Sequence, residues 1–254
     1  MSQSPRIIDK ATIADTYPVH AEALARGDEA TVRLVNMCQY AAVAANEGRV
    51  PSARQNLEAA LPQTEDPRLL FLGFQFYFRT AVAEETTAEE RTAWLDIAEQ
   101  LVRRRLAVVE ARKDQSGVAR AHTNLGLVLH YQQRHADAER HYTRAVEIDD
   151  AAGDPRGLIR SLGNLGNFYE SRNTPATEGD LAAAESLYVR AIDVAERAGC
   201  PDAAGTALSN LGEINATRGN VAAARELWER VLTIIATPDD KARLYCERRL
   251  RETA

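Results

Sequence analysis

The sequence predicts an all-α fold made of repeated helix pairs, and two linked patterns support this prediction. The triplet Asn-Leu-Gly occurs three times, beginning at Asn124, Asn164 and Asn210. Each triplet is followed by small and aromatic residues at helical spacing. These second patterns are Ala138/Tyr142/Ala145, Ala184/Tyr188/Ala191 and Ala224/Trp228/Val231. Because the two patterns recur together, we interpret the chain as a repeat protein whose neighbouring units bury the residues they share.

The distances between the triplets locate one insertion. The first two triplets are 40 residues apart and the last two are 46 apart. The distance from Ala145 to Asn164 equals that from Ala191 to Asn210, 19 residues in each case, so the additional residues lie inside one unit. We place them in residues 172–180, a segment with Pro and Gly, and we expect a loop there.

Helical periodicity predicts each remaining element in turn. Val118 to Tyr131 is the first helix of the best-defined unit, and Gly-x-Pro connectors separate this unit from the next. Upstream we expect a helix from Leu69 to Ala83 and, after a capping box at Thr87 to Glu90, a helix from Trp94 to Lys113. The predicted organisation is an N-terminal arm (1–18), a repeat region (19–237, in units of about 34–67, 68–117, 118–157, 158–204 and 205–237) and a C-terminal capping helix (238–254).

Leu-Gly followed by Ala-x-x-x-aromatic-x-x-Ala resembles the tetratricopeptide repeat (TPR), and the match covers residues 118–237. The 40-residue period is longer than the common 34 and is similar to the extended repeats of kinesin light chains and bacterial regulators. The Ala-Gly-Asp connector at Ala152 to Asp154 fits this variant. The resemblance implies a right-handed superhelical α-solenoid of about five helix-turn-helix units plus a C-terminal capping helix.

A glycine lies in the middle of each predicted first helix, at Gly126, Gly166 and Gly212. Glycine there costs about 1 kcal/mol relative to alanine, so a close helix contact must offset it. We expect each glycine to face the small alanine of the second helix, with the aromatic residue filling the space one turn further on.

On the first helix of each unit, residues spaced four, three and four apart share a stripe away from the Leu-Gly face. In tetratricopeptide proteins this face lines the concave groove, where Asn and basic residues bind a peptide backbone or a carboxylate. The Lys residues used by carboxylate-clamp members are absent from these stripes. Alternatively, an Asn of the stripe bonds a neighbouring helix. The candidate ligand contacts that the resemblance implies are Arg120, Asn124, Tyr131, Arg160, Asn164, Asn167, Asn210 and Glu213.

Three aromatic residues occupy the corresponding stripe of the second unit, at Phe71, Phe74 and Phe78. They could form an anchor pocket for an apolar ligand group. The distance from Gly73 to Ala98 exceeds the usual 12 residues by 13, which predicts an insertion after these aromatic residues. The alternative is that this insertion or the N-terminal arm covers them, since this much exposed apolar area is unusual.

Composition argues against several classes of function. The 254 residues carry a net charge of −6, so attraction to nucleic acid is not expected. No apolar run approaches the length of a membrane span, and we expect a cytoplasmic protein with no membrane partner. Cys38, Cys200 and Cys246 are scattered and predict free thiols.

No catalytic motif and no set of metal ligands is present, so we expect no enzyme activity, cofactor or metal. The run Arg103 to Arg105 is expected to be a solvated face. The sequence thus favours a non-catalytic module that binds an extended peptide or protein segment, as a bacterial scaffold or regulatory adaptor. The alternative is a sensor of a small molecule or signal peptide that uses the same groove. The oligomeric state stays open.

Overall fold

The computed structural model describes residue 8, residues 10–84 and residues 86–253. These residues form thirteen α-helices and two short 3-10 turns and include no strand, which confirms the all-α prediction. Residues 1–7 and 9 of the predicted arm, Glu85 of the predicted insertion and Ala254 of the capping segment lie outside the described residues. In the part of the chain that is described, no helix is both long and apolar enough to span a membrane.

The chain divides into two compact units, residues 1–134 and 135–254. The helices of the N-terminal unit are α1 (Lys10–Ala14), α2 (Tyr17–Arg26), α3 (Glu29–Asn46), α4 (Val50–Ala60), α5 (Pro67–Ala81), α6 (Ala88–Ala111) and α7 (Gln115–Tyr131). Those of the C-terminal unit are α8 (His135–Ala151), α9 (Pro155–Ser171), α10 (Glu178–Arg197), α11 (Gly205–Thr217), α12 (Val221–Ile234) and α13 (Lys241–Glu252). In chain order, α3 to α12 are ten helices, the number that five helix-turn-helix units require, and α13 follows them.

The predicted N-terminal arm contains helix that its sequence pattern did not indicate. Helix α1 lies inside it, and α2 begins at Tyr17, with Pro18 in its first turn and the left-handed Gly27 (φ 69°) at its end. The backbone N–H of Ile8 donates to Asn46 Oδ1 at 2.9 Å, and Asn46 Nδ2 donates back to the Ile8 carbonyl at 2.8 Å. This reciprocal pair attaches the segment before α1 to the end of α3.

Side-chain caps define the helix starts that the sequence predicts. Thr87 and Glu90 form the expected capping box: the Thr87 hydroxyl accepts from the Glu90 N–H, and the Glu90 carboxylate accepts from the Thr87 N–H. The predicted loop in residues 172–180 lies between α9 and α10. It ends in a second capping box, in which Thr177 and Asp180 bond each other's N–H groups.

The repeat glycines of the C-terminal unit face aromatic rings. A Cβ added to Gly166 would lie 2.5 Å from the Tyr188 ring, and one added to Gly212 would overlap the indole of Trp228. We expected the facing residue to be the alanine four positions earlier. Because side chains lean toward the N-terminus of their own helix, the aromatic side chain reaches back and covers the glycine instead.

The last repeat is closed by α13. Trp228 is fully buried, and its Nε1 donates to the Ser209 carbonyl at 3.3 Å. The Arg249 guanidinium lies over the Trp228 ring, 5.1 Å from the centroid, while the buried Cys246 is 3.0 Å from the Ser209 hydroxyl. Helix α13 therefore covers the aromatic residue of the final pair.

The close contact at Gly166 yields a stability prediction with an internal control on the same helix. Gly166→Ala should lower the free energy of unfolding by about 1–3 kcal/mol, because the buried Tyr188 ring leaves no room for a methyl group. Gly163 has open space around its Cβ position, so Gly163→Ala should raise the free energy of unfolding by up to about 1 kcal/mol through helix propensity. Urea denaturation of both variants measures the difference. Equal effects would contradict the packing described for Gly166.

Candidate functional site

The N-terminal unit contains a continuous row of aromatic rings on α5 and α7. Phe71 and Phe74 stack with ring centroids 5.8 Å apart, and Phe74 and Phe78 with centroids 5.6 Å apart. The Tyr131 ring meets Phe78 edge-on at 5.2 Å. Phe74 is buried, Phe71 and Phe78 are half-buried and Tyr131 is exposed. Four of the predicted contact residues therefore form one partly solvent-accessible surface.

Three consecutive arginines on α6 have three different environments. Arg103 is exposed, as expected for a solvated face. Arg104 donates to the backbone carbonyls of Leu61 and Thr64, at 3.0 and 2.6 Å. Arg105 is only 9% exposed, so the expectation of a solvated face is wrong for this residue. The reason is geometric, because successive side chains on a helix point about 100° apart.

A signal for the burial of Arg105 is present in the sequence, in the spacing of apolar residues along α6. Leu101, Val102 and Val109 are buried, and Arg105 lies four residues from both Leu101 and Val109. That spacing places Arg105 in the middle of the apolar stripe. Three arginines in a row suggest one shared, solvated face. Consecutive residues of a helix point in different directions, however, so the three side chains do not share a face.

The Arg105 guanidinium lies against the first ring of the row without a charged partner. Its central carbon is 5.1 Å from the Phe71 ring centroid, within the range of a cation–π contact. Its Nε and Nη1 are buried and have no hydrogen-bond partner among the described residues. Burial, and to a smaller extent the charge of Arg120, lower the pKa of Arg105 to about 10, while Asp114 acts in the opposite direction.

Two predicted contacts on α7 are free to bind. Arg120 is exposed and Asn124 is half-buried. Neither side chain forms a hydrogen bond or an ion pair with any other described residue. An amide in this position offers a donor and an acceptor to a ligand.

In the C-terminal unit, Tyr188 engages two of the predicted contacts in a hydrogen-bond network. Its Oη lies 2.6 Å from Asn167 Oδ1 and also contacts a carboxylate oxygen of Glu170. Asn210 Nδ2 donates to Asn167 Oδ1 at 2.7 Å and to Tyr188 Oη at 3.2 Å. Asn167 and Asn210 thus bond across neighbouring helices, which is the alternative that the sequence left open.

The remaining predicted contacts of this unit differ in whether their side chains already have a hydrogen-bond or ion-pair partner. The Asn164 side chain is half-buried and has no hydrogen-bond partner in the described part of the chain. Arg160 is exposed, with one guanidinium nitrogen 3.8 Å from a carboxylate oxygen of the buried Asp149. Glu213 accepts from Arg249 Nε at 2.7 Å and thereby holds α13. Among the stripe residues of this unit, Asn164 is consequently the asparagine whose amide has no partner in the described part of the chain.

Comparison with known proteins agrees with the repeat pattern. Two tetratricopeptide-repeat family models match the chain, one over residues 117–175 and the other over residues 205–236. No curated protein sequence matches it.

Solved structures share the fold at low sequence identity. BtubC (BKLC) from P. vanneervenii is 21% identical with a TM-score of 0.56, and the match covers 91% of each chain. A putative kinesin light chain of Podosopora anserina with nearly identical TPR-like repeats is 15% identical with a TM-score of 0.56, over 80% of this chain and 94% of that one. The apo form of RapI is 11% identical with a TM-score of 0.60, over 96% of this chain and 70% of that one.

The successive helix pairs and these structural likenesses define an all-α repeat protein of the solenoid class. Within that class, the segments 117–175 and 205–236 are tetratricopeptide repeats by their match to the family models.

The Tyr188 network predicts a dependence of stability on pH. When Glu170 is ionised, the single hydroxyl hydrogen of Tyr188 serves two acceptors, whereas a protonated Glu170 donates to Oη and releases that hydrogen for Asn167. Burial raises the pKa of Glu170 above its ordinary 4.5; the bond to Tyr188 opposes this, and Glu213 adds to it. A raised pKa means that this stabilisation is present below the unfolded-state pKa and is lost as pH rises through the folded-state pKa.

Glu170→Gln keeps a neutral donor at this position at every pH. Its melting temperature should therefore rise relative to that of the wild type as pH increases from about 4 to about 8. Thermal denaturation in a pH series measures this difference. Glu226→Gln, at an exposed position of α12, controls for the loss of one negative charge. A difference between Glu170→Gln and wild type that stays constant with pH would refute the protonation argument.

Proposed function

We propose that this protein is a non-catalytic protein-interaction module that binds extended peptide segments through the exposed faces of its first helices, as a bacterial scaffold or regulatory adaptor. Tetratricopeptide repeats are generally interaction scaffolds, which supports the coarser part of this proposal. The finer part, the binding of extended peptides, is supported by the hydrogen bonding of the asparagine side chains on the stripes of the first helices.

Each compact unit has one stripe asparagine with unused hydrogen-bonding capacity, Asn124 on α7 and Asn164 on α9. Polar groups that are half-buried in a protein usually find internal partners, as Asn210 does here. An extended backbone presents alternating N–H and C=O groups, and one side-chain amide can bond both. The free amides are therefore suited to hold a peptide main chain.

A second candidate function is the recognition of a small molecule. The aromatic row with the unpaired Arg105 behind Phe71 favours it, since such a surface can take a compact ligand with an apolar part and a charge.

The peptide proposal predicts a specific loss of affinity. Peptides selected from a random display library against the full chain should bind with a Kd about 2- to 10-fold higher when the amide that holds them is removed, in Asn124→Ala or Asn164→Ala. Isothermal titration measures the Kd, and circular dichroism confirms that the variants keep their helix content.

Matched controls exist in both units. Asn56 on α4 and Asn215 on α11 each donate to the backbone carbonyl four residues earlier, at 2.9 Å. Asn56→Ala and Asn215→Ala remove the same group from a side chain that is already bonded, so peptide affinity should not change. If no peptide is selected, or if every selected peptide binds both stripe variants as tightly as the wild type, the proposal is wrong.

A further inference from the structure

The N-terminal unit contains a cleft with a volume of about 220 Å³, bordered by α4, the 3-10 turn that follows it, α5 and α6. Three of its lining residues are buried leucines, Leu57, Leu61 and Leu101. A Cβ added to Gly73 of α5 would lie 2.5 Å from Leu61 Cδ1 and 3.3 Å from Leu101 Cδ1. Two of the leucines therefore pack directly on the α5 backbone and give the cleft a closed apolar wall.

Arg104 of α6 fixes the side of the cleft that the 3-10 turn forms. Its Nη1 donates to the Leu61 carbonyl at 3.0 Å, and its Nη2 donates to the Thr64 carbonyl at 2.6 Å. These bonds join the turn Leu61–Gln63 to α6. The two sides of the cleft are thus held relative to each other by side-chain bonds within the unit.

Tyr77 of α5 supplies the polar group of the cleft. The residue is only 2% exposed, and its hydroxyl forms no hydrogen bond with any other described residue. Because this oxygen is not fully enclosed either, the small exposed part of Tyr77 includes it. Burial raises the pKa of Tyr77 to about 12, with Glu58 adding to the shift and Arg54 opposing it, so the hydroxyl keeps its hydrogen at neutral pH. A nearly buried hydroxyl usually has a partner, since leaving it unbonded is costly.

The charged groups beside the cleft are already paired. The Glu58 carboxylate accepts from Arg54 Nε at 2.7 Å, and Arg104 forms an ion pair with Glu65 at 2.9 Å. A charged ligand would find no unpaired opposite charge on these side chains, so the cleft suits a neutral one. Its volume suits a single ring with a small substituent, because an apolar cavity of about 150 Å³ holds one benzene molecule.

We propose that this cleft binds a neutral, ring-sized apolar molecule that carries one oxygen or nitrogen atom, and that this atom accepts a hydrogen bond from the Tyr77 hydroxyl. The ring packs against Leu57, Leu61 and Leu101 and removes apolar surface from water. The cleft shares no residue with the stripes or with the aromatic row. It is therefore a small-molecule site that goes beyond the proposed peptide-binding function.

The test titrates the full chain with p-cresol, acetophenone and toluene and follows the methyl signals of Leu57, Ile97 and Leu101 by two-dimensional NMR. The first two compounds carry an oxygen acceptor, and toluene is the control of similar size without one. At least one of the oxygen-bearing compounds should bind about 2- to 10-fold more tightly than toluene and shift these methyl signals. No saturable binding of either compound, affinity equal to that of toluene, or shifts confined to other parts of the chain overturns the proposal.

Tyr77→Phe separates a binding role of the hydroxyl from a structural one. It should remove the preference for the oxygen-bearing compound over toluene and leave toluene binding intact. The melting temperature of the ligand-free protein should stay unchanged, because the hydroxyl has no internal bond to lose. Tyr17→Phe removes the same group from an exposed residue of α2 and should change neither binding nor stability. A retained preference in Tyr77→Phe overturns the proposal, and so does a marked fall in its melting temperature.

A second variant keeps the test decisive if Tyr77→Phe does not fold. Ile97 is half-buried and lines the cleft, so the larger side chain of Ile97→Trp should fill part of it and abolish binding of the oxygen-bearing compound without loss of helix content. Unchanged binding in Ile97→Trp contradicts the site. The stripe variant Asn124→Ala should leave binding in the cleft intact, so failure of this site is distinguishable from failure of the peptide-binding function.

Discussion

The C-terminal unit depends on the contact between a glycine of one helix and an aromatic ring of the next. Tyr188 over Gly166 and Trp228 over Gly212 bring the backbone of the first helix close to a large side chain of the second. The glycine gives up about 1 kcal/mol of helix propensity, and the fully buried ring compensates by removing its apolar surface from water. The ring therefore limits how closely the two helices approach, and the same contact occurs in both glycine-containing pairs of this unit.

Much of the architecture was predictable because it rests on such repeated local rules. The helix pairs, the loop before α10 and the Thr87 capping box all follow from residue types whose effect does not depend on distant parts of the chain. The partner of the repeat glycines was assigned to the wrong residue, because the direction in which an aromatic side chain leans decides it. Helices α1 and α2 were missed, since no repeat pattern extends into that segment.

The candidate site was less predictable, and the asparagines show why. Asn164 and Asn167 lie three residues apart on the stripe of α9, yet one is free and the other is bonded to Tyr188. Spacing along one helix cannot distinguish them, because the difference comes from a hydroxyl group on another helix. Arg105 was misjudged for a related reason. The two residues before it in sequence are charged, but its neighbours in space are the apolar stripe of α6 and the Phe71 ring.

The change from tyrosine to tryptophan between the last two repeats has a consequence for the length of the array. The Tyr188 hydroxyl reaches beyond its own pair to Asn210 of the following helix, so a tyrosine provides a polar connection to a subsequent repeat. The Trp228 nitrogen is directed back to Ser209 within its own pair, and its ring is covered by Arg249 of α13. A further repeat inserted after α12 would lose that connection and would have to displace α13. Extension of the array at this end therefore requires α13 to be displaced, and it lacks one hydrogen bond between repeats, which is worth about 0.5–1.5 kcal/mol.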